Sequence, residues 1–94
     1  MSISFSKSVI SRLQREIPAL EAEIKALLQK KKQAETTLKQ LQRDSKKSAS
    51  PSDLNNKLSR INKLNKELAE FTKKQTELAK DLTTKKSELA KYQT

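Results

Sequence analysis

Residues 44–53 read Asp44-Ser45-Lys46-Lys47-Ser48-Ala49-Ser50-Pro51-Ser52-Asp53, and across this stretch one apolar repeat stops and another begins. Between Asp44 and Ser50 only Ala49 is apolar, so no core side chain anchors the segment. Ser50 can cap a helix, and Pro51 suits the first helical position, where the missing N–H would have no partner anyway. Asp53 sits three residues after the cap, where a capping-box acid reaches back. The spacing predicts a turn over 44–50 and a second helix over about 51–93.

On the N-terminal side, apolar residues recur at alternating steps of three and four. Ile3, Ile10, Ile17, Ile24, Lys31 and Leu38 occupy one seam position, a; Ser6, Leu13, Leu20, Leu27, Ala34 and Leu41 occupy the other, d. On the C-terminal side, Leu54, Ile61, Leu68, Gln75, Leu82 and Leu89 take a, and Lys57, Leu64, Phe71, Leu78, Lys85 and Tyr92 take d. A repeat kept over five heptads is the pattern of supercoiled helices. The candidate core is Ile10, Leu13, Ile17, Leu20, Ile24, Leu27, Leu38 and Leu41 on the first helix. On the second it is Leu54, Ile61, Leu64, Leu68, Phe71, Leu78, Leu82 and Leu89. The first helix is predicted over about 6–43. Pro18 removes the bond to the Gln14 carbonyl, but the heptad keeps phase across it. This predicts a kink; the alternative is a helix starting at Pro18, with Ile17 as a poor cap.

The chain is therefore expected to be all-α, a single coiled-coil module over 1–94 folded as an antiparallel two-helix hairpin. An apex at Lys47 and Ser48 sets Leu41 against Leu54, Leu27 against Leu68, Ile24 against Phe71 and Leu13 against Leu82. In this alignment no two polar seam residues meet: Lys31 faces Leu64, Gln75 faces Leu20 and Lys85 faces Ile10. Glu23 near Lys74 and Lys30 near Glu67 attract, whereas Glu16 near Asp81 repels. A parallel coiled-coil dimer is the competing geometry, because Ile at a with Leu at d favours it. Leu28 and Leu58 fall at e positions on one flank and form a possible second seam. Through it two hairpins would join as a four-helix assembly.

The inventory excludes most chemistry. Without His or Cys, the commonest general base, the thiol nucleophile and the usual transition-metal ligands are missing. Without Gly there is no phosphate-cradling loop. No catalytic, cofactor-binding or metal site is expected, and the chain reads as no enzyme on its own. Its balance of 21 basic and 11 acidic residues, net +10, attracts polyanions through long-range fields. With three aromatic residues and four Arg, it lacks stacking platforms and base readers. Binding of nucleic acid or anionic surfaces is thus expected to be weak and non-specific. The expected partner is a second copy, with a coiled-coil helix of another protein as the alternative. No run approaches the roughly 18 apolar residues of a membrane span. The Ser-rich start superficially suits a transit peptide, but the heptad already runs through it, and a cytoplasmic location is expected.

Three stretches carry a likeness: Ser45-Lys-Lys-Ser-Ala-Ser-Pro-Ser52, Asn65-Lys-Glu-Leu68 and Lys85-Lys-Ser-Glu-Leu-Ala-Lys-Tyr-Gln93. In these the chain resembles the N-terminal coiled-coil segment of bacterial proteins with a C-terminal Toll/interleukin-1 receptor (TIR) domain. The heptad still runs at Tyr92-Gln93-Thr94, which fits the N-terminal part of a longer protein. The resemblance implies a self-association arm that clusters TIR domains and raises their effective concentration. The TIR domain would carry the activity, NAD cleavage or interference with host receptor signalling, and delivery into a host cell would then be its route. None of that family's catalytic residues lies in this segment.

Overall fold

The computed structural model describes residues 3–93, in which α1 spans Ile3–Ser45 and α2 spans Pro51–Gln93. Each helix has 43 residues, about 65 Å at 1.5 Å per residue. The molecule measures 71 × 15 × 15 Å, so the two helices lie side by side along most of their length. They run antiparallel within one chain: Arg12 near the start of α1 pairs with Glu88 near the end of α2, and Lys57 reaches the Asp44 carbonyl at the turn. The hairpin, not a parallel pairing of separate chains, is the fold.

α1 begins a turn earlier and ends two residues later than its repeat predicts. It runs unbroken through Pro18. Pro18 lies on the exposed face, as does Gln14, so water can bond the carbonyl that the proline leaves without a partner. The N-terminus of α2 is the one the sequence marks. Asp53 N donates to Ser50 Oγ at 3.2 Å and Leu54 N to the Ser50 carbonyl at 3.1 Å. The capping box is formed by half: the Asp53 carboxylate accepts from Lys57 Nζ at 2.8 Å.

The alignment of the helices differs from the expected one by a heptad. Lys31 Nζ donates to Gln75 Oε1 across the seam at 3.3 Å. With Leu41 against Leu54, Gln75 would stand eleven residues from the level of Lys31, about 16 Å along the axis. No lysine spans that. The cross-helix pairs Arg12–Glu88, Glu16–Lys85 and Glu21–Lys86 agree with Lys31–Gln75. They bring Leu41 level with Ile61, Leu38 with Leu64, Ile24 with Leu78, Leu20 with Leu82 and Leu13 with Leu89. The first turn of α2 consequently projects past the end of α1, and residues 46–50 climb to meet it. Two polar seam residues, Lys31 and Gln75, bond to each other, where the expected alignment sets each against a leucine.

Every described a and d position is at least half-buried, but the two helices are covered unequally. Leu13, Ile17, Leu20, Leu27, Ala34 and Leu41 are buried, while Ser6, Ile10, Ile24, Lys31 and Leu38 are half-buried. The side chain of Ile3, the first a residue, lies outside the described residues. All the seam residues of α2 are half-buried, and none is fully buried. Leu13, with no exposed area, is the best-packed side chain. Leu13→Ala is expected to cost about 2–5 kcal/mol and Leu54→Ala distinctly less, read by chemical denaturation. The alignment is checked by paired cysteines in this cysteine-free chain. Leu38→Cys with Leu64→Cys is expected to close an intramolecular disulfide, and Leu38→Cys with Lys57→Cys is not.

Candidate functional site

The polar residues of the seam act as fasteners at three heights. At the turn, Lys57 Nζ donates to the Asp44 carbonyl at 3.4 Å, to Ser48 Oγ at 3.3 Å and to Asp53 Oδ2 at 2.8 Å. These three acceptors match the three hydrogens of an ammonium. The Asp44 carbonyl also accepts from Lys47 N at 3.0 Å and Ser48 Oγ at 3.5 Å. The end of α1 is thus closed by side chains together with the backbone N–H groups of the turn, with no left-handed residue among those described. Midway stands the Lys31–Gln75 bond. At the open end, Lys85 Nζ lies 3.1 Å from Glu16 Oε1, Arg12 Nη1 lies 3.1 Å from the same oxygen, and Arg12 Nη2 lies 3.8 Å from Glu88 Oε2. This chain of four charges ties the first helix to the second.

Two carboxylates are tuned by these contacts. The Lys85 hydrogen bond, aided by the charges of Lys85, Arg12 and Arg15, holds the Glu16 carboxyl below its ordinary range. Lys57, and after it Ser48, does the same for Asp53. These pairs are structural. Among the described residues no three His, Cys, Asp or Glu side chains converge as metal ligands, and no helix is long and apolar enough to cross a membrane.

The flanks beside the seam differ in character. On one, the helices border a groove lined by Leu27 and Phe71 and by charged Lys30, Glu70, Lys74 and Glu77. Lys73 lines the same groove, so three lysines share it with two glutamates. The other flank holds Leu28 and Leu58, 39% and 44% exposed and the two exposed large apolar side chains among the described residues. Beside them α2 presents two outward rows. One is Asn55, Asn62, Ala69, Thr76, Thr83 and Ala90; the other is Leu58, Asn65, Thr72, Ala79 and Lys86, and all are exposed. A chain 34% charged would place about four charges in eleven such positions; Lys86 is the single one here, and Glu21 lies 3.6 Å from its ammonium.

The threonines of this face are turned inward for hydrogen bonding. Thr72 Oγ1 donates to the Leu68 carbonyl, Thr76 Oγ1 to Thr72 and Thr83 Oγ1 to Ala79, at 3.0–3.1 Å. Their hydroxyl protons are already used within the helix, which lowers the cost of drying the face. The adjoining a row of α2, Leu54, Ile61, Leu68, Leu82 and Leu89, is only half-covered. Together these form a lengthwise surface of low charge and part-covered leucines. Sequence spacing picks out Leu28 and Leu58 but passes over the neutral rows between them, because Asn, Thr and Ala carry no apolar periodicity.

Acid tests the fasteners. A depressed carboxyl binds protons less readily in the folded hairpin than in the unfolded chain. Its contribution is complete above the ordinary carboxylate range and is lost as pH falls through the folded pKa. The melting temperature is expected to hold from pH 7 to about 5 and to drop below about 4. Glu16→Gln with Asp53→Asn should lower the neutral-pH value and make the acid decline shallower, as followed by circular dichroism. Known protein-family models, curated proteins and solved structures hold no match to this chain.

Proposed function

We propose that this chain is a self-associating coiled-coil module whose work is to hold copies of itself, and whatever is joined to them, together. The observation that carries the reading is the exposed flank with Leu28 and Leu58, beside a helix whose seam no single partner buries. Elongated shape compounds this: the hairpin exposes 7168 Å². A compact monomer of its 10.7 kDa mass would expose about 5,500 Å². No enzymatic activity is assigned to this chain, which contains neither His nor Cys. Joined to a TIR-like effector domain, the arm would act through effective concentration, making weak domain–domain contacts intramolecular.

A second reading rests on the charge of +10: loose, non-specific attachment to nucleic acid or anionic surfaces. Acids intervene among the lysines, as Glu70 and Glu77 do beside Lys73 and Lys74, which favours the first reading. The two separate by salt, since polyanion binding falls steeply with ionic strength and apolar self-association does not. Sedimentation equilibrium at physiological salt, from low to high micromolar, is expected to show mass rising above that of one chain. A single-chain mass throughout would remove the proposal.

A further inference from the structure

The self-association proposed above leaves open which faces meet, and the structure points to one. We infer that a second copy docks its α2 against α2, the helices antiparallel about a twofold axis passing close to Thr72 and Thr76. The inference rests on the self-association reading and adds its geometry.

Charge selects the surface. Two identical molecules of net charge +10 repel wherever lysines meet. On α1, the outer row of the same flank is Lys25, Lys32 and Lys39, and the outer face of α2 carries Lys66, Lys73 and Lys80. The rows from Asn55 to Ala90 are where two cationic rods can touch without setting like charges together. The back of α1, with Ala19, Ala22, Ala26 and Gln29, is also poor in charge, but it borders no exposed large apolar side chain. An acidic partner of another kind would find its complement in the lysine rows. A neutral face on a strongly basic rod instead fits a second copy of that rod.

Direction follows from Lys86 and Leu28. Parallel packing would place Lys86 beside the partner's Lys86. Antiparallel packing centred on the stripe places it near the level of Ser59, and it opposes the two helix dipoles favourably. The observed alignment puts Leu28 level with residue 74, almost at the stripe's midpoint. Leu28 of each copy then lies at the level of the axis, beside the partner's α2, while Leu58 covers each end. The area suits this arrangement: the hairpin exposes roughly 1,600 Å² more than a compact monomer of its mass. A loss of about 800 Å² from each copy gives an interface of standard size.

The test uses the full chain, which has no cysteine. Ala69→Glu with Thr76→Glu gathers four carboxylates about the axis and is expected to weaken the dimer about a hundredfold. Ala22→Glu with Gln29→Glu, on the back of α1, should change it less than about threefold. Under mild oxidation Thr72→Cys is expected to yield a disulfide-linked dimer, whereas Asn55→Cys and Gln33→Cys are not. A dimer that survives Ala69→Glu with Thr76→Glu overturns this interface and leaves self-association standing. A single-chain mass for the unmodified protein overturns both. Cross-linking of Asn55→Cys as readily as Thr72→Cys overturns the antiparallel direction. Should the glutamate pair lower helicity, the cysteine series decides: preferential linkage at Thr72→Cys supports the interface, and linkage at Gln33→Cys as fast or faster sinks it.

Discussion

One hydrogen bond across the seam, from Lys31 to Gln75, decides how this hairpin is aligned. A heptad seam is nearly indifferent to sliding by seven residues, because leucine returns to leucine. Polar residues in the seam break that degeneracy. In the alignment one heptad short, Lys31 would face Leu64 and Gln75 would face Leu20, and both groups would lose their partner. An unpaired polar group costs about 1–3 kcal/mol when buried, and less here because both side chains keep some contact with water. The same slide would carry Glu16 away from Lys85 and towards Asp81, exchanging an attraction for a repulsion. A few kcal/mol is small beside the whole seam, yet it is large beside the difference between registers. This is the specifying role that a single polar seam residue has in other coiled coils.

The turn obeys the same logic. Its five linking residues include no Gly and no left-handed backbone among those described, so the carbonyls at the end of α1 need other donors. Lys57 supplies one from the seam of α2, and it can do so only because α2 overshoots α1 by a turn. Alignment, overhang and closure of α1 are therefore a single arrangement. Moving the helices by a heptad would take Lys57 away from Asp44 and remove the donor that α2 gives to the end of α1.

Much of this was legible in the residues. The 3-4 spacing gave both helices, and Ser50-Pro51 marked the start of α2 to the residue. Every described seam position is at least half-buried. What the spacing could not give was the alignment, because the apolar pattern repeats identically after each heptad. The expectation that polar residues would face leucines, as Lys31 would face Leu64, weighed the burial of each group separately. The structure couples Lys31 to Gln75. The neutral rows of α2 were invisible for a different reason. Asn62, Ala69, Thr76 and Thr83 are unremarkable one by one, and their meaning is the absence of lysine from them in a chain rich in lysine.

That absence connects the core to the surface. A two-stranded seam should cover both helices alike, but here the fully buried side chains all lie on α1, Leu13 above all. The part-covered seam of α2 adjoins rows that carry a single charge, Lys86. An isolated, solvated rod gains nothing from such a placement, since charged side chains keep a surface soluble and would shield half-exposed leucines with their alkyl stems. Lysine occupies the corresponding row of α1 at Lys25, Lys32 and Lys39, so the chain does use that device where it suits. Its withdrawal from this flank of α2, beside Leu28 and Leu58, makes sense if α2 is an interior helix, with α1 on one side and another helix on the other.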